Sequence, residues 1–126
     1  MQHRNAGQYK LVYKPLDDTL AGRPSPELGV QNVKQMIADA RVLGMIGLYG
    51  STAAFDEIPL ANAAGLVVLS PSATNACLTQ TASVCDPRLG ALRPSGSINF
   101  FRTVAPDPTQ GRVMARFAAD SLGVKR

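Results

Sequence analysis

Val67-Val68-Leu69-Ser70-Pro71-Ser72-Ala73-Thr74-Asn75 is the stretch that decides the fold. A short run of β-forming apolar residues ends at a proline, and the backbone then opens into small, hydroxyl-bearing residues. In an open α/β sheet, ligands collect just beyond the carboxyl ends of the strands. Small residues there let main-chain N–H and C=O groups reach a ligand, while Ser and Thr supply short polar contacts. No nucleophile–base pair accompanies the loop, so it suits capture of a small zwitterion better than catalysis. The same residues also make a plain strand exit, and the stretch alone leaves that reading open.

Working outward, strands and helices alternate. Tyr9-Lys10-Leu11-Val12-Tyr13-Lys14-Pro15 reads as a strand, Leu16-Asp17-Asp18 as a turn, and Thr19 to Pro24 as a polar loop. Ser25-Pro26-Glu27 is a helix start, with a hydroxyl cap, proline in the first turn and an acid near the positive dipole end. Val30, Val33, Ile37 and Ala40 predict the buried face of that helix. Val42-Leu43-Gly44-Met45-Ile46 is continuously apolar, as in a strand covered on both sides. Thr52 to Ala64 reads as a helix closing at Gly65, with Pro59 inside it predicting a kink. Leu66 to Leu69 and Phe100-Phe101-Arg102-Thr103 are the remaining strands. Asp107-Pro108 repeats the cap-plus-proline signal, and Val113, Phe117 and Leu122 give the last helix its buried side. This alternation predicts an α/β fold, a parallel sheet with helices on both faces. The connection from Pro71 to Ser97 is too long for a plain connector and reads as functional or stapled.

Composition narrows the function. The 126 residues fit one domain, and an apolar share of 45% is ordinary for a globular chain. No apolar run approaches the roughly 20 residues of a membrane span. The opening Met1-Gln2-His3-Arg4-Asn5-Ala6-Gly7-Gln8 is polar and shows no export signal. The net charge of +4 comes from scattered lysines and arginines that do not interleave with aromatics, so no nucleic-acid partner is expected. Asp17 and Asp18 lack further acids to complete a metal or acid–base site and suit a turn. His3, the only histidine, lies in the terminal segment and makes no zinc set with two distant cysteines. Gly47-Leu48-Tyr49-Gly50-Ser51 lacks the lysine of a phosphate loop and is no nucleophile elbow. Neither enzyme activity, metal nor cofactor is expected. Cys77 and Cys85 share the polar, turn-rich long loop, which favours a disulfide over two free thiols and, with it, an oxidising compartment.

Several segments together resemble one family. Ser70-Pro-Ser-Ala-Thr-Asn75 with Leu78-Thr79-Gln80, then Asn99-Phe-Phe-Arg-Thr-Val104, Asp107 and Gln110-Gly111, are similar to a type I periplasmic binding protein. The closer resemblance is to the branched-chain amino-acid (leucine/isoleucine/valine-type) binding component of ABC importers. Tyr13 through Asp18 and Ile46 through Ser51 fit the same pattern, and the resemblance runs from Tyr9 to Gly123. It implies that residues 1–126 are a partial N-terminal lobe, lacking the family's first strand and helix and its second lobe. A sheet without that middle strand leaves unpaired inner edges, so the isolated chain is expected to be marginally stable or to form an edge-paired oligomer.

The resemblance also implies roles. Ser51 corresponds to the position whose hydroxyl and N–H hold the ligand carboxylate; by its place at a helix start it is otherwise an ordinary cap. Ser72, Ala73 and Thr74 correspond to the second contact loop, with the Ser72 carbonyl toward the α-ammonium and the Thr74 N–H and hydroxyl toward the charged groups. The implied ligand is a branched-chain or similar amino acid, the partner a membrane permease, and the location periplasmic or extracellular. A sensory or regulatory ligand-binding domain of the same fold is the alternative.

Overall fold

A computed structural model describes residues 3–81, 85 and 87–124. Strand β1 (His3–Ala6) pairs antiparallel with β2 (Tyr9–Val12), from His3 opposite Val12 to Ala6 opposite Tyr9. The chain reverses at Gly7, whose φ of 61° is the left-handed turn conformation glycine tolerates. This corrects the sequence reading at two points. The terminal segment that carries His3 is a strand, and β2 joins it in a separate hairpin instead of the main sheet. All four β2 residues are exposed. The alternation of apolar and polar residues marks β-forming character, and a local hairpin satisfies it at the low entropy of a short loop.

Asp17 takes the turn role expected of it, its Oδ1 accepting from both the Thr19 N–H and hydroxyl at 2.8 Å. The stretch read as a polar loop closes into a minimal hairpin, β3 (Thr19–Leu20) with β4 (Arg23–Pro24). Helix α1 (Pro26–Ile37) starts as expected, with Ser25 Oγ accepting the Leu28 N–H at 3.3 Å. Its buried face is Gly29 and Val33, with Met36 packed alongside. The expected face was one of Val30, Val33, Ile37 and Ala40, but Ile37 and Ala40 are exposed. Gly29 explains the rotation: a Cβ there would collide with the Glu57 carboxylate, so its absence brings the neighbouring helix close along this line.

Strand β5 (Gly44–Ile46) leads to α2 (Ser51–Ala63), which stays helical through Pro59 and ends before Gly65, where φ is 70°. Strands β6 (Val67–Ser70) and β7 (Phe100–Arg102) complete a parallel sheet of order β5-β6-β7. Met45, Val68 and Phe100 form its covered face. Ala54, Ile58 and Ala61 of α2, Val33 of α1, and Leu78 and Leu92 of the long loop complete the core. The α/β class with a parallel sheet therefore stands.

Coverage of the second face is thinner than expected. Residues 42–46 were read as covered on both sides, yet Ile46 is 73% exposed, and Val67 and Phe101 on the same face are also exposed. Helix α3 (Asp107–Asp120) begins one residue early, with Pro106 at the cap and no capping side chain. Val113, Phe117 and Leu122, expected inside, are all exposed. Periodicity reports which side of a helix is apolar, and it carries no information on whether another element is present to cover it. No helix among the described residues is long and apolar enough to cross a membrane.

Candidate ligand-binding loops

The site is built from two neighbouring strand exits, and Ser70 at the end of β6 joins them. Its fully buried hydroxyl donates to Leu48 O at 2.8 Å across to the β5 exit. It also accepts the Ala73 N–H at 2.9 Å and the Ser72 N–H at 3.3 Å, which curls its own loop. Leu48 is held at φ 65°, a strained value for a leucine that persists only where surrounding contacts over-determine it. Further out, Ser72 Oγ donates to Tyr49 O at 2.9 Å, and the Asn75 N–H donates to Ser51 Oγ at 3.1 Å. The two loops are thus tied to each other, which brings Ser51 and Ser72 near Thr74, while Ala73 is buried within the second loop.

Arg102, from β7, holds the second loop from beneath. Its Nη1 donates to Ala73 O at 2.9 Å and Asn75 O at 2.8 Å, while Nη2 donates to Thr79 Oγ1. Burial lowers the guanidinium pKa from its ordinary value, an effect opposed by the Asp107 carboxylate. The Asp107 N–H takes Thr74 O at 3.0 Å.

Buried main-chain N–H and C=O groups need partners, and most of those in the second loop have one. From Ser72 to Asn75, the carbonyls of Ala73, Thr74 and Asn75 are occupied, as are the N–H groups of Ser72, Ala73 and Asn75. Within this stretch, the Ser72 C=O and the Thr74 N–H have no partner among the described residues. Ala73 is fully buried with both main-chain groups engaged, so it shapes the loop and offers no group of its own.

Across from them, α2 begins with free donors. Its first helical bond runs from Ala54 N–H to Gly50 O at 3.1 Å, which leaves the N–H groups of Ser51, Thr52 and Ala53 ahead of it. Gly50 occupies the cap position and no side chain caps the helix. Ser51 is therefore the first helical residue, and its hydroxyl serves the neighbouring loop in place of a cap. The open N–H groups and the positive end of the helix dipole favour an anionic group here.

Cys77 and Cys85 are joined as a disulfide, with Cα atoms 5.3 Å apart. The bridge starts beside the contact loop, since the Cys77 N–H donates to Asn75 Oδ1 at 2.9 Å. No cluster of potential metal ligands occurs among the described residues. Sequence reasoning missed Ser70, Arg102 and Asn62. The signal for Arg102 was a charged side chain at the end of the apolar pair Phe100-Phe101, where a cation needs several acceptors. Asn62 carried no comparable signal, because its partners lie 33–37 residues away, and for Ser70 the contact that joins the two loops, to Leu48 O, lies 22 residues away.

No family model and no curated protein matches this sequence. Solved structures do. An ABC transporter substrate-binding protein from Desulfitobacterium hafniense is similar over 77% of this chain at 25% identity, with a TM-score of 0.57. The same description with Leu in the complex gives a TM-score of 0.58. A leucine-binding protein, LivK, from Thermotoga maritima MSB8 is alike in fold over 86% of this chain, at 24% identity and a TM-score of 0.57. The match spans 25% to 30% of those chains. Over that part of their length, the chain has the fold of the type I periplasmic binding proteins of the branched-chain amino-acid type.

Proposed function

We propose that this chain is the ligand-facing part of the substrate-binding component of an ABC importer, and that it takes a branched-chain or similar amino acid at its two strand exits. The observation that carries this reading is a set of groups on two hydrogen-bonded loops that have no partner among the described residues: the Ser72 carbonyl, the Thr74 N–H and the helix start at Ser51, which no side chain caps. A carbonyl can take an ammonium, and N–H groups at a helix start can take a carboxylate. An α-amino acid carries both charges within a few ångströms. Residues 1–126 serve as a partial N-terminal lobe. A second lobe would supply the remaining wall around the side chain and an acidic partner for the ammonium.

Such a protein performs no reaction; binding stabilises a closed form that docks on a membrane permease, in the periplasm or outside the cell. Neighbouring permease and ATPase genes would separate import from a sensory use of the same fold. The direct test is a titration of the 15N-labelled chain with leucine, isoleucine and valine, followed by NMR. The expected result is a set of saturable shifts confined to Ser51–Ala53 and Ser72–Asn75, with affinity weakened about tenfold by Thr74→Ala, which removes the hydroxyl's hydrogen bond to a charged group and keeps the N–H. Absence of shifts at both loops, with the chain folded, would remove this assignment.

A further inference from the structure

Arg102 has more to do than close a strand. Its guanidinium lies under the contact loop, and one nitrogen takes two carbonyls of that loop while the other takes Thr79 Oγ1 in the next turn. Without it, the carbonyl of the fully buried Ala73 would lose its partner and that of Asn75 would keep only the Leu78 N–H at 3.3 Å, and the loop would rotate to satisfy Ala73. With it, the carbonyl that remains open is that of Ser72, and the open N–H is that of Thr74. A lysine has the charge but lacks the planar array of donors needed to hold three acceptors in fixed directions.

We propose that Arg102 is the positioning residue of the ligand loop: it never touches the ligand, and it selects which main-chain groups of residues 72–75 face it. This rests on the binding role proposed above. The assignment makes Arg102 a determinant of loop polarity. Withdrawing two carbonyls keeps the surface rich in donors, which suits a carboxylate.

The test uses the 15N-labelled chain as wild type, Arg102→Lys, Arg102→Met and Thr79→Ala. Amide exchange is followed at Asn75 and Asp107, whose N–H groups report the loop's contacts with Ser51 and with Thr74 O. Val68, inside β6, serves as the internal reference. In Arg102→Lys the expected result is exchange at Asn75 and Asp107 accelerated about tenfold, with Val68 unchanged. Arg102→Met should give at least as large an effect, and Thr79→Ala a smaller one in the same direction. In parallel, the leucine dissociation constant should rise about tenfold in Arg102→Lys.

Unchanged exchange at Asn75 and Asp107, or an equal acceleration at Val68, would overturn the proposal, since a role in overall stability moves every amide together. If the Arg102 variants do not fold, Thr79→Ala decides: no change at Asn75 counts against a positioning role. A wild-type chain that ignores leucine would sink the binding reading, whereas the exchange measurements would still stand for or against Arg102.

Discussion

Glu57 sits on α2 at 3% exposure, and its Oε1 has no hydrogen-bond partner among the described residues. Burial, and then the carboxylates of Asp18 and Asp56, push its pKa from 4.5 up to about 7. In the unfolded chain the group returns to its ordinary value, so between these two pH values the native state binds the extra proton. The stability linked to that proton is complete below pH 4.5 and is lost as pH rises through about 7. Thermal melts should therefore show a melting temperature that falls between pH 5 and pH 8. Glu57→Gln, which cannot ionise, should flatten that slope; an unchanged slope would place the proton elsewhere. Gly29 belongs to the same contact, because the carboxylate occupies the space a Cβ would need.

Among the elements, the long connection between β6 and β7 shows most clearly what can be read from sequence. Its length marked it as functional or stapled, and the disulfide between Cys77 and Cys85 is that staple. Closing so short a loop stabilises by about 2.5 kcal/mol in the chain-entropy model. Reduction should accordingly lower the melting temperature and loosen Asn75, which accepts from Cys77. A melt unaffected by reductant would show that the bridge constrains nothing that matters to stability. The return of the loop rests on Asn62, which no pattern revealed. Its amide donates to Ser97 O and Asn99 Oδ1 at 2.9 and 2.6 Å and accepts from the Ser95 N–H and hydroxyl at 2.9 and 2.8 Å. Asn62→Ala leaves buried groups unpaired and should cost about 2–3 kcal/mol in denaturant unfolding. The three strands of the parallel sheet, the start of α1 and the end of α2 were legible because they are encoded by neighbours in sequence: the cap at Ser25, the glycine at position 65, the proline after β6. Ser70 and Asn62 were not, because their value arises from partners that only the fold brings near. The buried face of α1 was misplaced for a related reason, since Gly29 matters through a glutamate 28 positions away.

At the scale of the whole molecule, the sheet is covered on one side only. α2 and the long loop pack against Met45, Val68 and Phe100, while Ile46, Val67 and Phe101 on the reverse side meet solvent. Helix α3 buries none of its residues, and Val113 and Phe117, one turn apart, are about 60% exposed. Strand β5 is an outer strand among the described residues, so one side of its backbone has no sheet partner. An open apolar face, an unpaired edge and an uncovered amphipathic helix on one chain are surfaces that attract one another between copies. A second copy meets each need with material already present: two β5 edges can pair antiparallel about a two-fold axis, and α3 of each copy has an apolar side to offer. Sedimentation velocity over a micromolar to submillimolar range should therefore show concentration-dependent association. Phe101→Lys or Ile46→Lys should shift the chain to monomer at little cost in folding, since these side chains are already 48% and 73% exposed. A wild-type chain that stays monomeric throughout that range and unfolds in one steep transition would mean that the exposed face is tolerated by itself. In a longer protein of the kind matched here, where this chain spans 25% to 30% of the length, the same face is available to the rest of the polypeptide. In such a longer polypeptide the association that the lone chain shows should then be abolished.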